Sequence, residues 1–128
     1  MIKILVLDDE TGTCKQLRDF FSYRGYKVFG ATGGEEAISI IKKEKPQILL
    51  LDIRMPGIDG LEVLKQAKEI NDKAKVIIIT ALTEEDKKSE ALKLGADEYI
   101  AKPFSYEKIE GLIIKMVNEV INAEEETK

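Results

Sequence analysis

Ile2-Lys3-Ile4-Leu5-Val6-Leu7 runs without a break into Asp8-Asp9-Glu10, and that junction decides the fold. A short, nearly continuous aliphatic run bounded by charge is the pattern of a strand covered on both faces, because a half-exposed strand alternates apolar and polar residues instead. The pattern returns at Ile48 to Leu51 and Val76 to Ile79. Lys27 to Ala31 and Glu98 to Ala101 are more mixed and belong at the edges of the same sheet.

Segments of helical period separate these runs. Cys14, Leu17, Phe20 and Phe21 form one apolar stripe closed by Gly25, a residue suited to a helix C-terminus. Ala37, Ile38 and Ile41 form a second, entered after Gly33-Gly34 and stopped before Pro46. Asp59 caps a third, with Leu61, Leu64 and Ala67 inward. Thr83 with Asp86 matches a capping box for a fourth, whose run Glu84 to Glu90 is polar before Ala91, Leu92 and Leu94. That helix is expected to be the most weakly docked. Ser105 caps the last, with Ile109, Leu112, Ile113, Met116, Val117 and Val120 as a wide apolar face. Strands alternating with helices predict an α/β fold, a doubly wound parallel sheet of flavodoxin-like order 2-1-3-4-5 with five helices. Right-handed crossovers leave every strand's carboxyl end on one rim.

Composition narrows the function classes. The 128 residues suit one domain, expected over residues 1–122, with 123–128 an acidic tail or linker stub. The net charge of −4 excludes a basic nucleic-acid footprint and a polybasic membrane patch. The chain contains no His, which removes His-based triads and His-dependent zinc sites. One cysteine, Cys14, permits no internal disulfide and reads as a small core residue. No signal peptide or membrane-spanning stretch is recognisable, so a cytoplasmic location is expected.

On the rim the strand order gathers Asp8 and Asp9 after strand one, Asp52 after strand three and Thr80 after strand four, with Lys102 following strand five. Each has a modest explanation by itself: an Asp pair can cap a helix, and a lone Lys is usually a solvated one. Together they form three converging carboxylates beside a hydroxyl and an ammonium. Like charges about 4 Å apart repel by roughly 4 kcal/mol at an effective dielectric near 20. A hard divalent cation such as Mg²⁺, with oxygen-only ligands, relieves that repulsion. Asp52, followed by the turn Ile53-Arg54-Met55-Pro56-Gly57-Ile58-Asp59-Gly60, is the candidate nucleophile for an aspartyl phosphate.

Leu7-Asp8-Asp9-Glu10, Leu51-Asp52 through Gly60, Thr80-Ala81 and Ala101-Lys102-Pro103-Phe104 together resemble the receiver domain of two-component response regulators, over essentially the whole chain. The resemblance implies that Asp52 accepts a phosphoryl group from a sensor histidine kinase or histidine phosphotransfer protein. It implies that Asp9 ligates Mg²⁺ directly and Asp8 through water, with Asp52 and the backbone carbonyl of Arg54 completing the protein ligands. Lys102 would pair with phosphoryl oxygens and Thr80 would hydrogen-bond another. A cis Lys102-Pro103 bond is implied, as is a switch aromatic at Tyr99. Arg54 and Leu82 stand at variable places that tune dephosphorylation in the family. Self-phosphorylation and autodephosphorylation would be the only activities, with no independent substrate turned over.

Other classes fit less well. A flavin-binding flavodoxin needs a phosphate cradle where this chain has Asp-Asp-Glu, and a haloacid-dehalogenase-like phosphatase needs an acid where Arg54 stands. P-loop and dinucleotide fingerprints are absent. A silent, non-phosphorylated interaction module would have a broken acidic set, and this one is intact. No DNA-binding element follows the last helix, so output is expected through a downstream effector protein if the chain is free-standing, the favoured expectation. The alternative is the front end of a DNA-binding transcriptional regulator with an attached output domain. Signalling is expected through the fourth helix, fifth strand and fifth helix, and a phosphorylation-linked dimer fits the family. Ile114 and Ile121, off the main apolar face of the last helix, are candidates for partner contact, while Gly111 within it has no evident role.

Overall fold

A computed structural model describes residues 1–53, 59–80 and 85–126. The strands are β1 (Lys3–Leu7), β2 (Lys27–Ala31), β3 (Ile48–Asp52), β4 (Lys75–Thr80) and β5 (Glu98–Ala101). The helices are α1 (Thr11–Tyr23), α2 (Gly34–Glu44), α3 (Gly60–Ile70), α4 (Glu85–Lys93) and α5 (Tyr106–Glu126). All strand pairs are parallel, in the order β2-β1-β3-β4-β5. This is the expected flavodoxin-like sheet, with β2 and β5 at its edges.

The aliphatic runs are covered on both faces. Leu5, Leu7, Leu49, Leu51, Val76 and Ile78 pack on one side with residues of α2, α3 and α4. Ile4, Val6, Ile48, Leu50, Ile77 and Ile79 pack on the other with Cys14, Leu17 and Phe21 of α1 and Ile109, Ile113 and Met116 of α5. Successive strand residues point to opposite faces, so runs without polar interruption supply both cores at once.

The helix boundaries follow the predicted chemistry. Gly25 has φ +93° just beyond α1, where Tyr26 N–H reaches back to the Phe21 carbonyl. The Asp59 carboxylate accepts from Glu62 N–H at the start of α3, and Ser105 Oγ accepts from Lys108 N–H at the start of α5. Thr83 of the predicted capping box lies outside the described residues. Two details differ from expectation. Leu92 is 48% exposed, leaving Ala91 as the buried residue of α4 among the described ones. And α5 continues through Glu126, so residues 123–126 form an exposed helical extension, because Ala and Glu sustain a helix without burial.

Candidate functional site

The strand ends bring the predicted residues together. Asp8 lies one residue past β1, its N–H donating to the Ala31 carbonyl, which extends the β1–β2 ladder by one rung. Asp52 closes β3 opposite Ile79, and Thr80 closes β4 opposite Ala101. Lys102 follows β5 and donates its backbone N–H to the Thr80 carbonyl at 2.6 Å. Asp8, Asp52 and Thr80 are buried, whereas Asp9 is exposed at the mouth.

Carboxylate oxygens from Asp8, Asp9 and Asp52 all lie within 4.8 Å of one another. Lys102 Nζ donates to Asp8 Oδ2 at 2.8 Å and to Asp52 Oδ2 at 3.1 Å. Burial pulls the Lys102 ammonium toward deprotonation, but hydrogen bonds and Coulomb attraction from Asp8 and Asp52 outweigh it, so its pKa rises above 10.5. Lys102 is thus held protonated between two buried carboxylates. Among the described residues, one ammonium against three carboxylates still leaves negative charge at the rim. Oxygens on opposite sides of a cation held at about 2.1 Å are about 4.2 Å apart, so the cluster fits a hard divalent ion.

Asp8 and Asp9 do not act as helix caps. Asp8 Oδ1 accepts from Glu10 N–H at 2.9 Å, a local turn, while Glu10 is the N-cap of α1 and makes no side-chain capping bond. The Lys102-Pro103 bond is cis, as expected. Tyr99 stands opposite Ile78, two residues along from the Thr80–Ala101 pair and on the same face of the sheet. Arg54 and Leu82 lie outside the described residues.

One positioning residue escaped the sequence reading. A Cβ on Gly60 would lie 2.1 Å from the Asp52 carbonyl oxygen and 2.8 Å from Ile53 Cα. Gly60 N–H also donates to the Ile53 carbonyl at 3.1 Å. The first residue of α3 is therefore seated on the backbone that carries Asp52. Its signal in the sequence was a glycine at the first turn of a helix, where it lowers helix propensity and needs another reason.

Comparison with known proteins agrees with this geometry. Residues 4–114 match the model of the response regulator receiver domain, and the chain belongs to that family. It is 42% identical over 113 residues to sporulation initiation phosphotransferase F of Bacillus subtilis, covering 88% of this chain and 91% of that protein. It is 40% identical over 121 residues to the probable transcriptional regulator ycf27 of Porphyridium aerugineum, covering 94% of this chain but 50% of that protein. The chain thus spans nearly all of one relative and about half of another. Among solved structures, a response regulator protein from Burkholderia pseudomallei with a phosphorylated aspartic acid, calcium ion and citrate superposes with a TM-score of 0.84 at 27% identity, covering 97% of this chain and 73% of that one. Among the described residues no helix is long and apolar enough to cross a membrane.

Proposed function

We propose that this chain is a phosphorylation-controlled switch whose phosphoacceptor is Asp52, with residues 1–122 as the working unit. The observation that carries this reading is Lys102 Nζ bonded to both Asp8 and Asp52 at the mouth of a three-carboxylate cluster. A relative in structure carries a phosphorylated aspartic acid and a calcium ion, which supports both the acceptor chemistry and a divalent cation.

Asp9 would hold Mg²⁺ directly and Asp8 through water, with Asp52 and the Arg54 carbonyl as the remaining protein ligands. When bound, that ion supplies positive charge opposite the phosphoryl oxygens. An Asp52 carboxylate oxygen forms its bond to phosphorus as the bond to the imidazole nitrogen of a partner's phosphohistidine breaks. The electron pair leaves with that nitrogen, which takes up a proton. Lys102 neutralises one equatorial oxygen and Thr80 hydrogen-bonds another, the positioning and charge compensation that this transfer chiefly requires.

Thr80 moving to the phosphoryl group and Tyr99 following it would change the surface of α4, β5 and α5. Shifting a 1:99 equilibrium to 99:1 takes about 5.5 kcal/mol of differential interaction. The donor would be a histidine kinase or phosphotransfer protein in the cytoplasm. The chain is similar both to a sporulation phosphotransferase and to half of a probable transcriptional regulator, so output by protein contact is the first reading and an attached output domain the second.

Incubation with Mg²⁺ and acetyl phosphate followed by intact-mass measurement tests the proposal. One base-labile phosphoryl group is expected, absent in Asp52→Ala and blocked by a chelator. An unchanged mass in the native chain would favour the silent interaction module.

A further inference from the structure

The face of α4 that turns toward the sheet carries a lysine where an apolar residue is the norm. Ala91 is the buried residue of this helix at 1% exposure, and Lys88, three residues earlier, lies on the same face and is half-buried. Its ammonium sits 5.7 Å from the centroid of the Tyr99 ring. That ring packs against the cluster containing Ile78, Ala91 and Ala96, on the side of the sheet that α4 covers. The long stem of Lys88 shields apolar surface while its charged end remains near water, within range of the electron-rich ring face.

Resting on the reading of Tyr99 as the aromatic that follows Thr80, we infer that Lys88 is a positioning residue that holds the Tyr99 ring in its present orientation and so restrains phosphorylation of Asp52. A ring that turns toward Thr80 must leave the ammonium or draw α4 with it. The contact therefore favours one arrangement over the other. Because an ammonium adapts its position more freely than a packed side chain, the contact sets a bias between the arrangements without locking either one.

Lys88→Met keeps the apolar stem and removes the charge, while Lys88→Arg keeps the charge. The chain has four tyrosines, so ring-labelled tyrosine resolves Tyr99 by NMR without any phosphodonor. Lys88→Met is expected to displace the Tyr99 ring resonances while leaving those of Tyr23, Tyr26 and Tyr106 in place. It is also expected to raise the initial rate of acetyl-phosphate-driven phosphorylation about two- to five-fold, the worth of a cation–π contact at an exposed site. Lys88→Arg should restore both. Unmoved Tyr99 resonances in Lys88→Met, or an unchanged rate, would overturn the assignment. A native chain that accepts no phosphoryl group would instead overturn the acceptor role of Asp52, and the ring resonances would then decide alone whether Lys88 holds Tyr99.

Discussion

Gly60 and Gly111 are both glycines within helices, and their surroundings give opposite expectations. A methyl group at Gly60 would collide with the backbone of Asp52, whereas nothing lies within 4 Å of one at Gly111. Gly60→Ala is expected to slow acetyl-phosphate-driven phosphorylation by roughly ten- to a hundred-fold, because small displacements of a reacting group are that costly. Gly111→Ala should leave the rate unchanged and stabilise α5 by up to about 1 kcal/mol. Phosphorylation time courses and urea melts of the two variants separate these outcomes. Cys14 offers a pH dependence. Burial pushes its thiol above the ordinary 9.0, against a smaller opposing pull from Arg18. The unfolded chain then releases this proton at lower pH than the folded chain. The thiol's contribution is therefore full below pH 9.0 and declines as pH rises toward the folded value. As pH rises above 9.0 the urea midpoint of the native chain should fall more steeply than that of Cys14→Ala. The acidic trio and Thr80 were legible in the sequence because each adjoins a continuous aliphatic strand, and Lys102 because it follows the last, more mixed strand of the same sheet. Gly60 was not, because a glycine in a turn-rich stretch gives no hint of which backbone it touches.

Among the described residues, α4 is the helix least secured by burial. Ala91 is its anchor, Leu92 is half exposed, and an open groove with Glu62, Lys65, Lys87 and Glu90 in its walls runs between it and α3. Amides in residues 85–93 are accordingly expected to exchange with solvent at least about ten-fold faster than those of α3, whose Leu61, Val63, Leu64 and Ala67 are buried. Hydrogen exchange read by mass spectrometry compares the two helices directly, and equal protection would refute a mobile α4. This weakness could be read in advance from the polar run before Ala91. The length of α5 could not, since Ala123-Glu124-Glu125-Glu126 lacks the apolar periodicity by which a docked helix announces itself, yet has good intrinsic helix formers.

The whole sheet was readable from its aliphatic runs because a parallel arrangement buries its strands on both faces and permits few strand orders. The same arrangement makes stability respond to the site. Any ligand that binds only the folded chain stabilises it, by about 2.7 kcal/mol at a hundred times its dissociation constant. Mg²⁺ is therefore expected to raise the thermal midpoint, and Asp9→Asn should abolish that rise without unfolding the chain, because Asp9 is exposed. Calorimetry with and without the ion checks both points. The order of the strands along the chain has one more consequence. Asp8, Asp9 and Asp52 all leave the ribosome before Lys102, which is 50 residues beyond Asp52. A nascent polypeptide halted before β5 presents the acids without their ammonium, so the cluster gains its compensating charge only after the first four strands have been made.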